Sequence, residues 1–143
     1  MRILISGGSG LIGTRLTKRL TERGDEAVIL TRNASRLATE DNVTYVEWDG
    51  KSVPDSVGET DAVVNLAGVG IADKRWTRSY KKAILESRMQ TTLACVNYIR
   101  AQKTKPQVFV AASAVGYYGT KSNKILDESA PAGKDFLADV CLQ

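Results

Sequence analysis

Three glycines near the start of the chain stand where they could hold an anion. Gly7, Gly10 and Gly13 are spaced three apart within Ile3-Leu4-Ile5-Ser6-Gly7-Gly8-Ser9-Gly10-Leu11-Ile12-Gly13. A β-type apolar run precedes them and a helical pattern follows. In that setting Gly7 permits a tight turn off the strand. Gly10, lacking a Cβ, lets a pyrophosphate approach the backbone, and Gly13 lets the new helix pack close to the strand. The free amides and positive end of that helix then face the phosphates. Glycines in a plain surface turn are the alternative, but the strand before and helix after favour a dinucleotide site.

The residue ending the second strand selects the dinucleotide. An acid there accepts hydrogen bonds from ribose hydroxyls and favours NAD; an arginine pairs with the 2′-phosphate of NADP. This chain has Thr31-Arg32 and no acid, with Arg36 one turn further on, so the expected cofactor is NADP(H). The alternative leaves Arg32 and Arg36 as solvated surface charges. Asp49, beside Trp48, could accept from an adenine amino group or simply close a turn. No Gly-Lys-Ser/Thr ends the glycine loop, which argues against a nucleoside-triphosphate site.

The elements that must position these residues alternate. Strands are expected over Arg2–Ser6, Ala27–Thr31, Val43–Trp48, Asp61–Leu66 and Gln107–Ala112. Helices are expected over Leu11–Arg23, from the N-cap Thr77 to near Gln102, and from Phe136 onward with Asp135 as cap. The first helix would bury Ile12, Leu16 and Leu20 and end at Gly24. The second would carry a stripe of Tyr80, Ile84, Met89, Leu93, Val96 and Ile99, with Cys95 buried. The alternation predicts an α/β fold, a Rossmann-type doubly wound parallel sheet. Its ligand edge would gather the glycine turn, Thr31-Arg32, Asp49, Ala67-Gly68 and Ser113.

Bulk properties narrow the function classes. The 143 residues suit one domain, and the net charge of +4 comes from dispersed Lys and Arg. Nucleic-acid binding is therefore not expected. No apolar run approaches the ~18 residues of a membrane span, and the chain enters a strand at once, so neither membrane nor signal peptide is expected and the location is taken as cytoplasmic. The chain has no histidine, which removes histidine-based triads, most zinc sites and the usual neutral-pH base. Of the two cysteines, Cys95 and Cys141, no disulfide is expected.

With these residues in place, the chain resembles an extended-type short-chain dehydrogenase/reductase of the NAD-dependent epimerase/dehydratase superfamily. It is most similar to the atypical branch once labelled sugar-nucleotide epimerases or cell-division inhibitors. The likeness rests on the glycine turn, Leu30-Thr31-Arg32-Asn33, Val64-Asn65-Leu66-Ala67-Gly68, Lys74-Arg75-Trp76, Ser87-Arg88, Ser113-Ala114-Val115-Gly116-Tyr117-Tyr118-Gly119 and Asp127-Glu128. It implies NADP contacts at Thr31, Arg32, Leu66, Ala67 and Arg88. The full expected cofactor set is Gly7, Ser9, Gly10, Leu11, Ile12, Gly13, Thr31, Arg32, Arg36, Asp49, Leu66, Ala67, Gly68 and Arg88. Since family members run longer, it also implies that this is the N-terminal part of a larger protein, truncated before the C-terminal strands and substrate lobe. A homodimer is a further implication.

For catalysis, such reductases use a Ser or Thr after the fifth strand and a Tyr-x-x-x-Lys on the next helix. Ser113 fits the first. At the helix start stand Phe136 and, four on, Val140. Tyr117 and Lys121 have the literal spacing but fall in a loop, where it does not place them on one face. Tyr117 or Tyr118 could act as a lone acid, or both could wall the pocket. The sequence therefore leaves two functions open: an NADP-dependent oxidoreductase or epimerase on a nucleotide-sugar-like or small carbonyl substrate, with Ser113 and Tyr117 as catalytic residues, or a catalytically silent NADP-binding sensor.

Overall fold

The computed structural model describes residues 1–37, 40–119 and 125–143. They form two compact units, Met1–Ala111 and Ala112–Gln143.

The first unit is built on five parallel strands: β1 (Arg2–Ser6), β2 (Glu26–Thr31), β3 (Val43–Glu47), β4 (Ala62–Asn65) and β5 (Val108–Ala111), in the order β3-β2-β1-β4-β5. Ile3 pairs with Ala27 on one side and Ala62 on the other, so β1 is the central strand. After β3 the chain crosses back over β1 to place β4 on its other side. That reversal opens a crevice at the carboxyl ends of β1 and β4, where open α/β sheets bind ligands.

Strands buried on both faces read as continuous apolar runs rather than as alternation. Ile3, Leu4 and Ile5 of β1 and Ala27 to Leu30 of β2 are all buried. Alternate side chains feed two cores. Ile3, Ile5, Ala27 and Ile29 pack with Leu16 and Leu20 of helix α1 (Leu11–Glu22). Leu4, Val28, Leu30 and Val63 pack with Ala94, Cys95, Tyr98 and Ile99 of helix α2 (Arg78–Ala101). One helix therefore covers each face of the sheet, the doubly wound arrangement expected from the sequence.

Two expected helix faces are corrected. Ile12 is 67% exposed; Gly13 and Thr17 are buried in its place. On α2, Met89 and Leu93 are about half exposed, and the buried positions are Ile84, Thr91, Ala94 and Cys95. In both helices the most deeply buried residues are small or β-branched, which lets the backbone approach closely. Leu16, Leu20, Tyr98 and Ile99 pack partly buried around them, while Ile12, Met89 and Leu93 are left outside. Burial pushes the Cys95 thiol up to about 11. No helix among the described residues is long and apolar enough to cross a membrane.

In the second unit, a 3-10 turn (Val115–Tyr118) packs with a short helix α3 (Phe136–Leu142). Gly133 N–H donates to the Tyr117 carbonyl at 2.8 Å. A Cβ on Gly133 would meet the Gly119 amide at 2.6 Å, so the two loop segments touch through their backbones.

Candidate functional site

The glycine turn leaves β1 in a conformation few residues could adopt. Gly7 has φ +72°, and a Cβ there would stand 2.8–2.9 Å from the backbone of Leu66 and Ala67. The turn is thus seated against the chain leaving β4. A Cβ on Gly13 would strike the Gly7 carbonyl and come within 2.5 Å of Gly8 Cα, so only glycine lets α1 start this close to the turn. Gly8, to which the sequence reading assigned no role, sits over the Ile29 side chain, which its Cβ would meet at 2.6 Å. At Gly10 the constraint is milder: φ is −82° and a Cβ would lie 3.2 Å from the Gly7 oxygen.

The start of α1 has no internal partner. Gly10 is the N-cap and has no side chain to close it, and the first turn carries no acid. Thr14 N–H returns to the Gly10 carbonyl at 2.9 Å. No hydrogen bond among the described residues takes the amides of Leu11, Ile12 or Gly13. Three donors at a positive helix end are therefore left for an outside acceptor. Ser9, Leu11 and Ile12 are exposed beside them.

At the end of β2, Thr31 is half-buried and Arg32 is exposed. Arg32, Glu47, Trp48, Asp49, Ser52 and Pro54 line an open cleft of about 480 Å³. No ion pair or hydrogen bond among the described residues engages the Arg32 guanidinium. Trp48 is 6% exposed, and its indole N–H has no partner. Asp49 closes the expected turn, with Oδ1 accepting from the Lys51 amide at 2.8 Å, while lining the same cleft. Arg36 ends a 3-10 turn over Ala34–Arg36.

At the end of β4 lies a buried polar cluster that the apolar pattern did not reveal. Ser6 Oγ donates to Asn65 Oδ1 at 2.5 Å, and Asn65 Nδ2 donates to Thr92 Oγ1 at 3.0 Å. Asn65 Oδ1 also accepts from the Ala67 amide at 3.3 Å, while Thr91 Oγ1 donates to the Ala67 carbonyl at 3.4 Å. Buried side chains thus hold both polar groups of Ala67. Arg88 crosses from α2 beneath this loop: its guanidinium donates to the carbonyls of Val69 and Ile84 at 3.1 and 2.9 Å. A Cβ on Gly68 would touch it at 3.3 Å. The structure therefore brings Gly7, Leu66, Ala67, Gly68 and Arg88 together at the β1/β4 crevice.

The expected catalytic residues belong to the second unit. Ser113 is exposed, and Tyr117 is half-buried in the 3-10 turn with its ring edge-on to Tyr118 at 5.1 Å. Lys121 lies outside the described residues. Asp135 caps α3 as expected, accepting from the Ala138 amide at 3.1 Å. Val140 is buried and Phe136 half-buried, so the two helix positions read as the sites of a Tyr and a Lys carry apolar side chains instead.

A parallel sheet in this order, with a glycine turn feeding an uncapped helix at the switch point, defines a dinucleotide-fold protein. Comparison with known proteins makes the class specific. The profile of the NAD dependent epimerase/dehydratase family matches residues 3–136. The chain is 41% identical over 141 residues to the epimerase family protein YfhF of Bacillus subtilis, covering 96% of this chain and 46% of YfhF. Human epimerase family protein SDR39U1, solved with NADPH, superposes with a TM-score of 0.79 at 32% identity, over 98% of this chain and 46% of that one. A nucleoside-diphosphate sugar epimerase from Corynebacterium glutamicum gives 0.77 at 32% identity, over 99% of this chain and 29% of that one. The chain belongs to the NAD dependent epimerase/dehydratase family. It spans about half the length of the curated relatives it matches.

Proposed function

We propose that the chain binds NADP(H) and serves an oxidoreductase or epimerase-like reaction on a nucleotide-sugar-like or small carbonyl substrate. The observation that carries this is the pairing of two unsatisfied features in one unit: the open amides of Leu11, Ile12 and Gly13, and the unpaired guanidinium of Arg32 at the end of β2. The residues present fit the cofactor. Gly7 and Gly13 let the turn close against Leu66 and Ala67 and let α1 start against the turn, which leaves the α1 amides open, and no acid follows Thr31 to repel a 2′-phosphate. The amides take the pyrophosphate, Arg32 takes the 2′-phosphate, and Asp49 and Trp48 border the adenine. Leu66, Ala67 and Gly68 form the opposite wall, held by Asn65 and Arg88. The NADPH in the human SDR39U1 structure supports this choice of cofactor. Bound there, the nicotinamide supplies hydride transfer.

In this reading the Ser113 hydroxyl orients the substrate oxygen and Tyr117 handles the proton. A second reading has a specific observation behind it. With Phe136 and Val140 at the helix positions of the usual Tyr and Lys, the protein binds NADP(H) and reports on it without turnover.

Titration of the chain with NADPH and with NADH, read by nicotinamide fluorescence, tests the cofactor. NADPH should bind at least tenfold more tightly than NADH; equal affinities would remove the role given to Arg32. NADPH oxidation across a carbonyl panel separates the two functional readings. The enzyme requires turnover that falls in Ser113→Ala and Tyr117→Phe, while the sensor requires none.

A further inference from the structure

Between β4 and α2 the chain takes neither helix nor strand, yet side chains hold its backbone. Val69 is gripped at both polar groups by adjacent residues of α2. Its N–H donates to Ser87 Oγ at 3.0 Å, and its carbonyl accepts from Arg88 Nη1 at 3.1 Å. The Ile84 carbonyl anchors both grips, accepting from the Ser87 hydroxyl at 3.0 Å and from Arg88 Nη1 at 2.9 Å. Further along, Tyr80 Oη donates to the Gly70 carbonyl and Trp76 Nε1 to the Ile71 carbonyl, each at 2.6 Å. A surface loop can leave such groups to water; this one does not.

Gly68 is the exception. It lies between the held residues Ala67 and Val69, it is exposed, and no hydrogen bond among the described residues takes its amide or its carbonyl. Arg88 runs beneath it: a Cβ on Gly68 would meet Arg88 Cγ, Cζ and Nη1 at 3.3 Å. The arginine therefore clamps the next residue and floors this one. An open peptide group fixed in advance binds with little further ordering.

Strand order says which part of a ligand such a group would meet. Arg32 and the Trp48–Asp49 cleft stand at the ends of β2 and β3, the glycine turn stands at the end of β1, and β4 is the next strand across. This inference rests on the cofactor reading above. A dinucleotide with its 2′-phosphate at Arg32 and its pyrophosphate at the turn brings its nicotinamide half to the β4 loop.

We propose that Ser87 and Arg88 are positioning residues for the nicotinamide half of the cofactor, acting through Val69 to fix the Gly68 peptide. This differs from the direct NADP contact that the family resemblance implies for Arg88. A hydroxyl and a guanidinium that serve one residue share one effect: losing either frees Val69.

The test titrates two nucleotides calorimetrically into the 143-residue chain: NADPH, and 2′,5′-ADP, which keeps the adenosine and the 2′-phosphate but lacks the nicotinamide. Ser87→Ala and Arg88→Met should each weaken NADPH at least fivefold and leave 2′,5′-ADP within twofold. The double variant should lose no more than twice what the worse single variant loses. Without nucleotide, hydrogen exchange at the Val69 amide should quicken at least fivefold in Arg88→Met, although the Ser87 bond to that amide is left in place. Equal loss of both nucleotides, losses that multiply in the double variant, or unchanged Val69 exchange would overturn the proposal. So would an NADPH loss in Arg88→Met alone, which would make Arg88 a direct ligand. Ser87→Ala removes a single hydroxyl and decides the question if Arg88→Met fails to fold. A chain that binds neither nucleotide defeats the cofactor reading; a chain that binds both, with variants that lose nothing, defeats this one alone.

Discussion

The two long helices of the first unit begin in opposite ways. Helix α2 is closed by its own sequence: Thr77 caps it with its side chain, and Lys81 N–H returns to the Thr77 carbonyl at 3.0 Å. Helix α1 begins at Gly10 with no side-chain cap and three amides left open. A glycine in place of a Ser, Thr, Asp or Asn cap costs only about a few tenths of a kcal/mol, so the open start of α1 is held at little expense in stability. The glycines that enforce the opening also deny the helix any internal acceptor. The difference teaches that a stability rule is broken at the helix start facing the switch-point crevice and kept at the other. The predictions below try to erase that difference or to widen it.

The largest effect is expected at Gly13. In Gly13→Ala the added methyl meets the Gly7 carbonyl and Gly8 backbone, so α1 must back away from the turn. Overpacking of this kind costs about 1–3 kcal/mol, and NADPH affinity should fall at least a hundredfold. Chemical unfolding and fluorescence titration of the same sample separate the two losses. Next comes Asn65→Ala, which strips partners from Ser6, Thr92 and the Ala67 amide. Buried groups left unpaired cost about 1–3 kcal/mol, and denaturant midpoints should fall accordingly.

Arg32→Glu sharpens the comparison without touching the fold. The exposed side chain should contribute little to stability, but reversing its charge should weaken NADPH at least tenfold and leave NADH within about twofold. Thr77→Ala is the control at the closed helix: a loss of about 1 kcal/mol in unfolding free energy with unchanged NADPH affinity. The smallest effect is alkaline. Burial raises the Cys95 thiol from 9.0 to about 11, so the folded state holds that proton more tightly than the unfolded one. The resulting stability is intact below pH 9 and is lost as the pH climbs toward 11. Cys95→Ala should show a shallower alkaline decline, measured by denaturant midpoints across that range.

Much of this was legible in the residues themselves. Runs such as Val28-Ile29-Leu30 and Ala62-Val63-Val64 announce strands buried on both faces, and Thr77, Asp135 and Gly24 mark helix ends by local chemistry alone. Gly24 takes φ +84° after α1, as a terminating glycine should. The legible part of the candidate site was the part imposed by backbone geometry, the glycine turn; the strand-end arginine was legible as a candidate only. What stayed hidden depended on depth. Ile12, Met89 and Leu93 look like core by composition, yet small neighbours such as Ala94 lie closer to the sheet and displace them outward. Asn65, Thr91 and Ser6 look like surface and are buried, because their hydrogen bonds close only across three separate elements. No single stretch of sequence contains that cluster.

The most direct measurement compares backbone amide shifts at the two helix starts as NADPH is added to the isotopically labelled chain. The amides of Leu11, Ile12 and Gly13 should shift saturably, while those of Ser79, Tyr80 and Lys81 stay in place. Shifts confined to the α2 start, with the α1 amides unmoved at saturating nucleotide, would contradict the account.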